Sequence, residues 1–318
     1  MDKENEQIKK PDVSKFEFPD FENIEQEIQN RHLNNFPDSV CKSVSRFKDS
    51  TYEGEVLNGR RHGIGKLIYH SGRNYYGEWK NDLREGIGIE YNPKKGTYKG
   101  HFYKGKAQGL GVYIWKEGER YQGEWENGKR QGRGIWKSSS GDCYTGYWRN
   151  SMPEGWGKYV SSNGSWYEGD WVEFVKQGVG VEFYSQSGDE YRGEFKQGKP
   201  HGYGHYKYKD GTLYKGYFEG GKKQGKGRLW MSEGHFYIGE FSNNLKEGRG
   251  CFSWASGDQY KGQFKSDLRD GKGLMTWKEG SSYKGTWKED KMHGWGLVTS
   301  ANSETKFCKF RNNSMVDK

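Results

Sequence analysis

The feature that most restricts what this chain can become is a period. A Tyr-x-Gly element recurs with its tyrosine at Tyr52, Tyr75, Tyr98, Tyr121, Tyr144, Tyr167, Tyr191, Tyr214, Tyr237, Tyr260 and Tyr283, a step of 23 residues that lengthens once to 24 at Tyr191. An aromatic follows two residues after the glycine in all but the first copy, and a Gly-x-Gly begins eleven residues after each tyrosine. Sequences that repeat at this interval fold as arrays of one small unit, each burying its apolar face against its neighbours. A twelfth copy is decayed, with Lys306 in the tyrosine's place and Phe310 keeping the aromatic.

Each copy reads as a β-hairpin. In the fourth, Tyr121, Gly123 and Trp125 alternate with Gln122 and Glu124, which is strand periodicity. Asn127-Gly128 follows, a pair suited to a type I′ turn because both central residues need positive φ. A second strand then runs through Gly132 and Gly134 to Trp136, and a second turn at Gly141 leads to the next tyrosine. Simple pairing about the turn predicts Trp125 opposite Arg130, Gly123 opposite Gly132 and Tyr121 opposite Gly134, all on one face. The same positions are Tyr52, Gly54, Gly63 and Gly65 in the first copy, and Tyr75, Gly77, Trp79, Gly86 and Gly88 in the second. In the eleventh they are Tyr283, Gly285, Trp287, Gly294 and Gly296. On this reading the glycines leave room for neighbouring rings, the basic residue at position ten (Arg61, Arg84, Arg130, Arg269) stacks on the facing aromatic, and the opposite face is wet. Glu173-Phe174 suits the turn badly, so the sixth copy is expected to carry a longer or distorted loop.

Composition agrees with a thin array. Hydrophobic residues are 31% and aromatics 16%, so rings must supply about half of the apolar surface. Two strands per copy at ~4.8 Å spacing make nearly 10 Å, so eleven copies predict a rod on the order of 100 Å. The net charge of +9 is uneven: residues 1–50 carry 8 Lys/Arg against 11 Asp/Glu, and the remainder 44 against 32. Such a balance suits either acidic partners or a solvated, mixed-charge surface. The four cysteines (Cys41, Cys143, Cys251, Cys308) are far apart, which argues for reduced thiols and an intracellular chain. The first residues, MDKENEQIKK, lack the apolar core expected of a signal peptide, and the sequence contains no apolar run of about 20 residues.

Catalytic and ligand readings fare poorly. The Gly-x-Gly pairs are not followed by helices, as a dinucleotide site requires. Gly220 to Gly227 (GGKKQGKG) matches the start of a phosphate loop but has Gly227 where the Mg²⁺-binding hydroxyl belongs. Position eleven is polar in every copy, from His62 to His293, and a property shared by all copies points to structure. No catalytic residue, cofactor, metal, nucleic-acid or small-molecule site is expected.

Residues 1–45 precede the array. The first twenty are charged and read as flexible. Asp20 can cap a helix over about 21–33 with Phe21, Ile24 and Ile28 on one face. That helix either protects the first strand edge or docks a partner. Residues 46–300 hold eleven repeats, and 301–318 the degenerate copy, ending after Phe310 in a frayed cap.

The unit Tyr-x-Gly-x-Trp-x-Asn-Gly-Lys-x-x-Gly-x-Gly resembles the MORN repeat (membrane occupation and recognition nexus), over residues 52–300. The resemblance implies an all-β fold, an elongated, single-layer, twisted antiparallel sheet of consecutive hairpins with an aromatic groove. Some relatives add a lipid kinase, a methyltransferase or a membrane anchor, for which this chain is expected to have no room. It is similar instead to stand-alone MORN proteins, including radial spoke head components of motile cilia and cytoskeletal scaffolds of protists. The resemblance therefore implies a non-enzymatic scaffold in the cytoskeleton, above all a ciliary axoneme. Its expected partners are other proteins of a large assembly, with pairing of two rods open. The alternative it implies is a peripheral module for anionic phospholipids such as phosphoinositides.

Overall fold

The computed structural model describes residues 10–19, 21–34 and 41–316. The chain divides into two compact units, Met1–Phe174 and Val175–Lys318. Among the described residues the first holds twelve strands, from Cys41–Arg46 to Trp166–Val172, and the second thirteen, from Val175–Tyr184 to Ser314–Val316. Within each unit consecutive strands pair antiparallel, so each is a run of hairpins in one sheet.

The turns follow the sequence. Asn127 and Gly128 take φ of 51° and 81°, the type I′ signature. The ladder beyond them does not follow simple pairing. Trp125 faces Arg130, but Gly123 faces Gly134 and Tyr121 faces Trp136. One residue of the first strand, Glu124, lies opposite three of the second, Gln131 to Arg133, and the same β-bulge recurs in the other hairpins of this type within each unit. The two glycines of Gly-x-Gly therefore have different duties. Gly132 sits in the bulge at φ 60°, which side chains disfavour, and the Glu124 carboxylate fills the space beside it. Gly134 lies under the Tyr121 ring, where an added Cβ would be 2.4 Å from the phenolic oxygen. Only the second makes room for a ring.

Side chains hold the bulge in shape. The Tyr121 hydroxyl donates to the Glu124 carbonyl at 3.0 Å, and the same bond runs from Tyr52 to Glu55 at 2.7 Å and from Tyr283 to Thr286 at 3.0 Å. Burial pushes the hydroxyls of Tyr121 and its equivalents well above the usual phenol range, so they remain donors. The acidic residue at position four also accepts a bulge N–H, as in Ile64 to Glu55 and Ile87 to Glu78, both 3.0 Å. Copies are stitched by position eleven. The oxygen of Gln108 accepts from the Asn127 N–H of the next turn at 3.1 Å, Gln131 from Asn150 at 3.0 Å, and Gln224 from Asn243 at 3.1 Å.

The sixth copy departs from expectation. Glu173 and Phe174 form an ordinary two-residue turn, with φ of 48° and 65°. The added residue sits in the second turn instead, where Gly188 N–H bonds the Tyr184 carbonyl four residues back. In other copies the equivalent bond spans three residues, as from Gly141 to Ser138 and Gly211 to Tyr208. The described residues after Phe310 are not frayed: Asn312 and Asn313 turn at φ 51° and 68°, and Ser314–Val316 pairs with Thr305–Arg311. The first repeat is preceded by an extra strand, Cys41–Arg46, which pairs with Ser50–Leu57 and forms the edge.

Candidate docking surfaces

Two faces result, and the residues at odd and even positions build them separately. On the groove face the tyrosines and the position-five rings make a ladder of edge-to-face contacts. Tyr121 meets Trp125 of its own copy at 5.2 Å and Trp148 of the next at 5.1 Å. In the second unit Tyr214 meets Phe218 at 5.1 Å and Phe241 at 5.0 Å. Each such pair contributes on the order of 0.5–1.5 kcal/mol beyond area burial, and each links one copy to the next.

The cation at position ten completes the ladder, but not on the ring it faces. Arg130 lies 4.5 Å from the Trp148 centroid, Arg61 4.4 Å from Trp79 and Arg269 4.3 Å from Trp287, each ring belonging to the following copy. The bulge explains the offset, because it turns the second strand toward its next neighbour. Burial lowers the ammonium pKa of Lys223 and Lys246, with Asp267 acting in the opposite sense on both. The first unit adds a bond that the second lacks among its described residues. The indole N–H of Trp79, Trp125 and Trp148 donates to the carbonyls of Gly65, Gly111 and Gly134, at 3.0, 3.1 and 3.3 Å.

The outer face of the first unit is not wet. Ile64, Ile87, Ile89 and Val112 project there and form a buried cluster with Phe21, Ile24 and Ile28. The helix observed is Ile24–Asn34, and it lies on this face, against the strands Leu83–Asn92 and Arg60–Tyr69, away from the edge. Its proposed cap, Asp20, lies outside the described residues. Arg31 bonds Glu78 at 3.3 Å, and Phe21 meets His101 edge-on at 6.5 Å.

Residues 10–19 continue the cover across later copies, so the reading of the first twenty residues as flexible fails for them. The Pro19 carbonyl accepts from Gln122 at 3.0 Å, and Phe16 packs on Tyr147 at 5.6 Å. Val13, 2% exposed, anchors a 3₁₀ turn that Asp12 caps through Ser14 N–H. Lys10 lies 4.1 Å from the Trp156 ring and pairs with Asp170 at 3.3 Å. The sequence marks Val13 and Phe16 only as two apolar residues three apart in a charged stretch, a signal too short to assign an element.

No catalytic grouping emerges among the described residues, and none holds three or more His, Cys, Asp or Glu placed for a metal. The stretch Gly220 to Gly227 is a turn with φ of 56° and 85° leading into the strand Lys222–Trp230.

The MORN repeat family profile matches ten stretches: 52–72, 75–97, 98–120, 121–143, 144–166, 191–213, 214–236, 237–259, 260–282 and 283–305. It passes over 167–190, the copy with the unusual turn and the added residue. Alsin of Homo sapiens is 42% identical over 50 residues, 16% of this chain and 3% of that protein. The ALS2 C-terminal-like protein of Homo sapiens is 38% identical over 63 residues, 18% of this chain and 7% of that protein. The chain thus spans a small part of the length of these relatives. Among solved structures, the wild-type TCP10 domain of Danio rerio CPAP aligns with a TM-score of 0.36 at 12% identity, covering 62% of this chain and 94% of that one.

Proposed function

This chain belongs to the MORN-repeat family, and from that premise we propose that it is a non-enzymatic scaffold whose sheet faces dock other proteins. The observation that carries this reading is the outer face of the first unit. There, a peptide segment with two charged anchors and five apolar ones lies across the repeats and is held by them. A surface that binds one peptide in this way is suited to binding others. Its place, on this proposal, is a cytoskeletal assembly such as the ciliary axoneme, in the manner of a radial spoke head component; the support is the resemblance of the repeat unit.

The scaffold reading predicts retention in detergent-extracted axonemes or cytoskeleton and cross-links to neighbours there. Full release into the detergent-soluble fraction would overturn it. The alternative is a peripheral binder of anionic phospholipid, supported by the positive balance beyond residue 50. It predicts pelleting with phosphoinositide-containing liposomes that falls as salt rises. No pelleting at low salt would remove it.

A further inference from the structure

The outer face of the second unit is built from the same positions as the covered face of the first, with different residues. Strand register places Tyr203 beside Tyr217, Lys226 beside Glu240, Arg249 beside Gln263, Lys272 beside Thr286 and Trp295 beside Lys309. Two aromatic pairs stand out from this face. Tyr203 and Tyr217 meet edge-on at 5.6 Å and are 47% and 54% exposed. Trp295 and Phe307 stack at 5.2 Å with an interplanar angle of 5° and are 47% and 65% exposed. Between them a shallow groove is lined by Ile238, Arg249, Cys251, Lys261, Gln263 and Lys272.

Charge separates the two faces. At the second, fourth, thirteenth and fifteenth positions of the copies, the first unit carries four Lys/Arg against six Asp/Glu. The same positions in the second unit, through Lys309, carry nine Lys/Arg against two Glu. Of those two, Glu194 already accepts the Tyr203 N–H at 3.0 Å, and Glu240 lies against Gly248. His205 reports the resulting field: burial first, then the nearby Lys215 and Arg192, hold it below the ordinary histidine pKa.

We propose that this face, from Tyr203 to Lys309, is a docking surface for an acidic, aromatic-bearing peptide segment of a partner protein. The first unit shows the mode of binding. Its own cover, residues 10–31, carries six Asp/Glu against three Lys/Arg, and seats Phe16 and Phe21 on the sheet. Two of its three cations, Lys10 and Arg31, are matched to acids of the first unit, Asp170 and Glu78. The second unit keeps only two acids on this face, Glu194 and Glu240, and offers a majority of cations set between exposed rings, so its occupant carries acids where the first unit's cover carries Lys10 and Arg31. Charge complementarity of this kind sets partner choice and association rate. A peptide is favoured over a membrane or a nucleic acid because the same sheet face, in the same chain, already holds one.

The proposal rests on the docking-scaffold reading and is tested apart from it. The probe is a fluorescent peptide with the sequence of residues 10–31 carrying Lys10→Glu, Lys15→Glu and Arg31→Glu, titrated with the full chain and followed by anisotropy. Binding is expected, weakening as salt rises. The triple variant Lys226→Glu, Arg249→Glu and Lys272→Glu, all at exposed positions, is expected to weaken it about tenfold or more, with the circular dichroism spectrum and Tm unchanged. A matched reversal in the first unit, Lys99→Glu with Lys158→Glu, is expected to leave it within about twofold. No binding at low salt would overturn the proposal, as would binding that the triple variant does not weaken. Tighter binding to phosphatidylcholine–phosphatidylserine vesicles or to a uridine-rich RNA oligonucleotide than to the peptide would also overturn it. Loss of peptide binding with retention in the extracted cytoskeleton would remove this surface alone. Peptide binding with full release would remove the scaffold reading alone.

Discussion

In the first unit, the outer face carries Ile64, Ile87, Ile89 and Val112 and is covered by the chain's own residues 10–31. In the second, the position of Ile64 and Ile87 carries Tyr203, Lys226, Arg249, Lys272 and Trp295, and the rings among them are exposed. The groove faces also differ in detail: most ribs of the first unit are indoles clamped to glycine carbonyls, and those of the second are phenyl rings apart from Trp287, whose N–H has no partner among the described residues. What does not differ is the frame of turn, bulge, tyrosine and second glycine. One set of positions builds the sheet, and an interleaved set is left to choose what lies on it. A repeat protein can therefore change partners along its length without changing fold.

The largest expected effect tests the shared frame. Gly134→Val in the first unit and Gly227→Val in the second each drive a side chain into the tyrosine ring that covers the glycine. Each should cost about 3 kcal/mol, measured by urea unfolding, and unequal costs would mean that the frames are not equivalent. The next effect should divide the units. Ile28, fully buried between its helix and the sheet, loses packing in Ile28→Ala and should destabilise the first unit by about 2 kcal/mol. Hydrogen exchange should quicken across Arg60–Tyr69 and Leu83–Asn92 and stay unchanged beyond Val175.

A smaller effect separates the ribs. Trp125→Phe removes the indole bond to Gly111 and should cost about 1 kcal/mol in thermal unfolding. Trp287→Phe should cost less, because the Trp287 indole N–H is buried without a partner. The smallest is the acid response, which should be common to both units. The backbone N–H of Arg61 holds the Asp82 carboxyl below the usual range, and that of Lys278 does the same for Asp258. A depressed folded pKa adds stability above the unfolded value of about 4, and that stability is lost as pH falls through the folded value. Tm should hold from pH 7 to about pH 5 and decline below about pH 4 in both units.

The type I′ turn and the two strands it joins could be read from Tyr121 to Trp136 alone, because turn chemistry and strand alternation are local, and the recurrence of that stretch extends the reading to the whole array. The bulge could not. Glu124 and Gly132 look like ordinary strand residues until the ladder shows one residue facing three, and with it the two glycines of Gly-x-Gly exchange a shared role for separate ones. Position eleven was visibly special but its partner lies in the next copy, so its stitching bond depends on register between hairpins. Position ten was rightly placed over a ring, and wrongly assigned to the facing one, for the same reason. The outer face was hidden by scale. Lys226 or Arg249 singly is a surface cation, and only their alignment over successive strands makes a field. Phe16 gains meaning only from Tyr147, more than a hundred residues away.

Matched side chains on the outer faces offer the sharpest test of the difference between the units. Trp156 and Trp295 occupy the same position in two copies, one beneath Lys10 and the other 47% exposed. Tyr147 and Tyr217 form a second such pair, one under Phe16 and the other 54% exposed. Hydroxyl-radical oxidation of the intact chain, read by mass spectrometry, should label Trp295 and Tyr217 several-fold faster than Trp156 and Tyr147. Equal rates within both pairs would contradict a covered face in the first unit and an open one in the second.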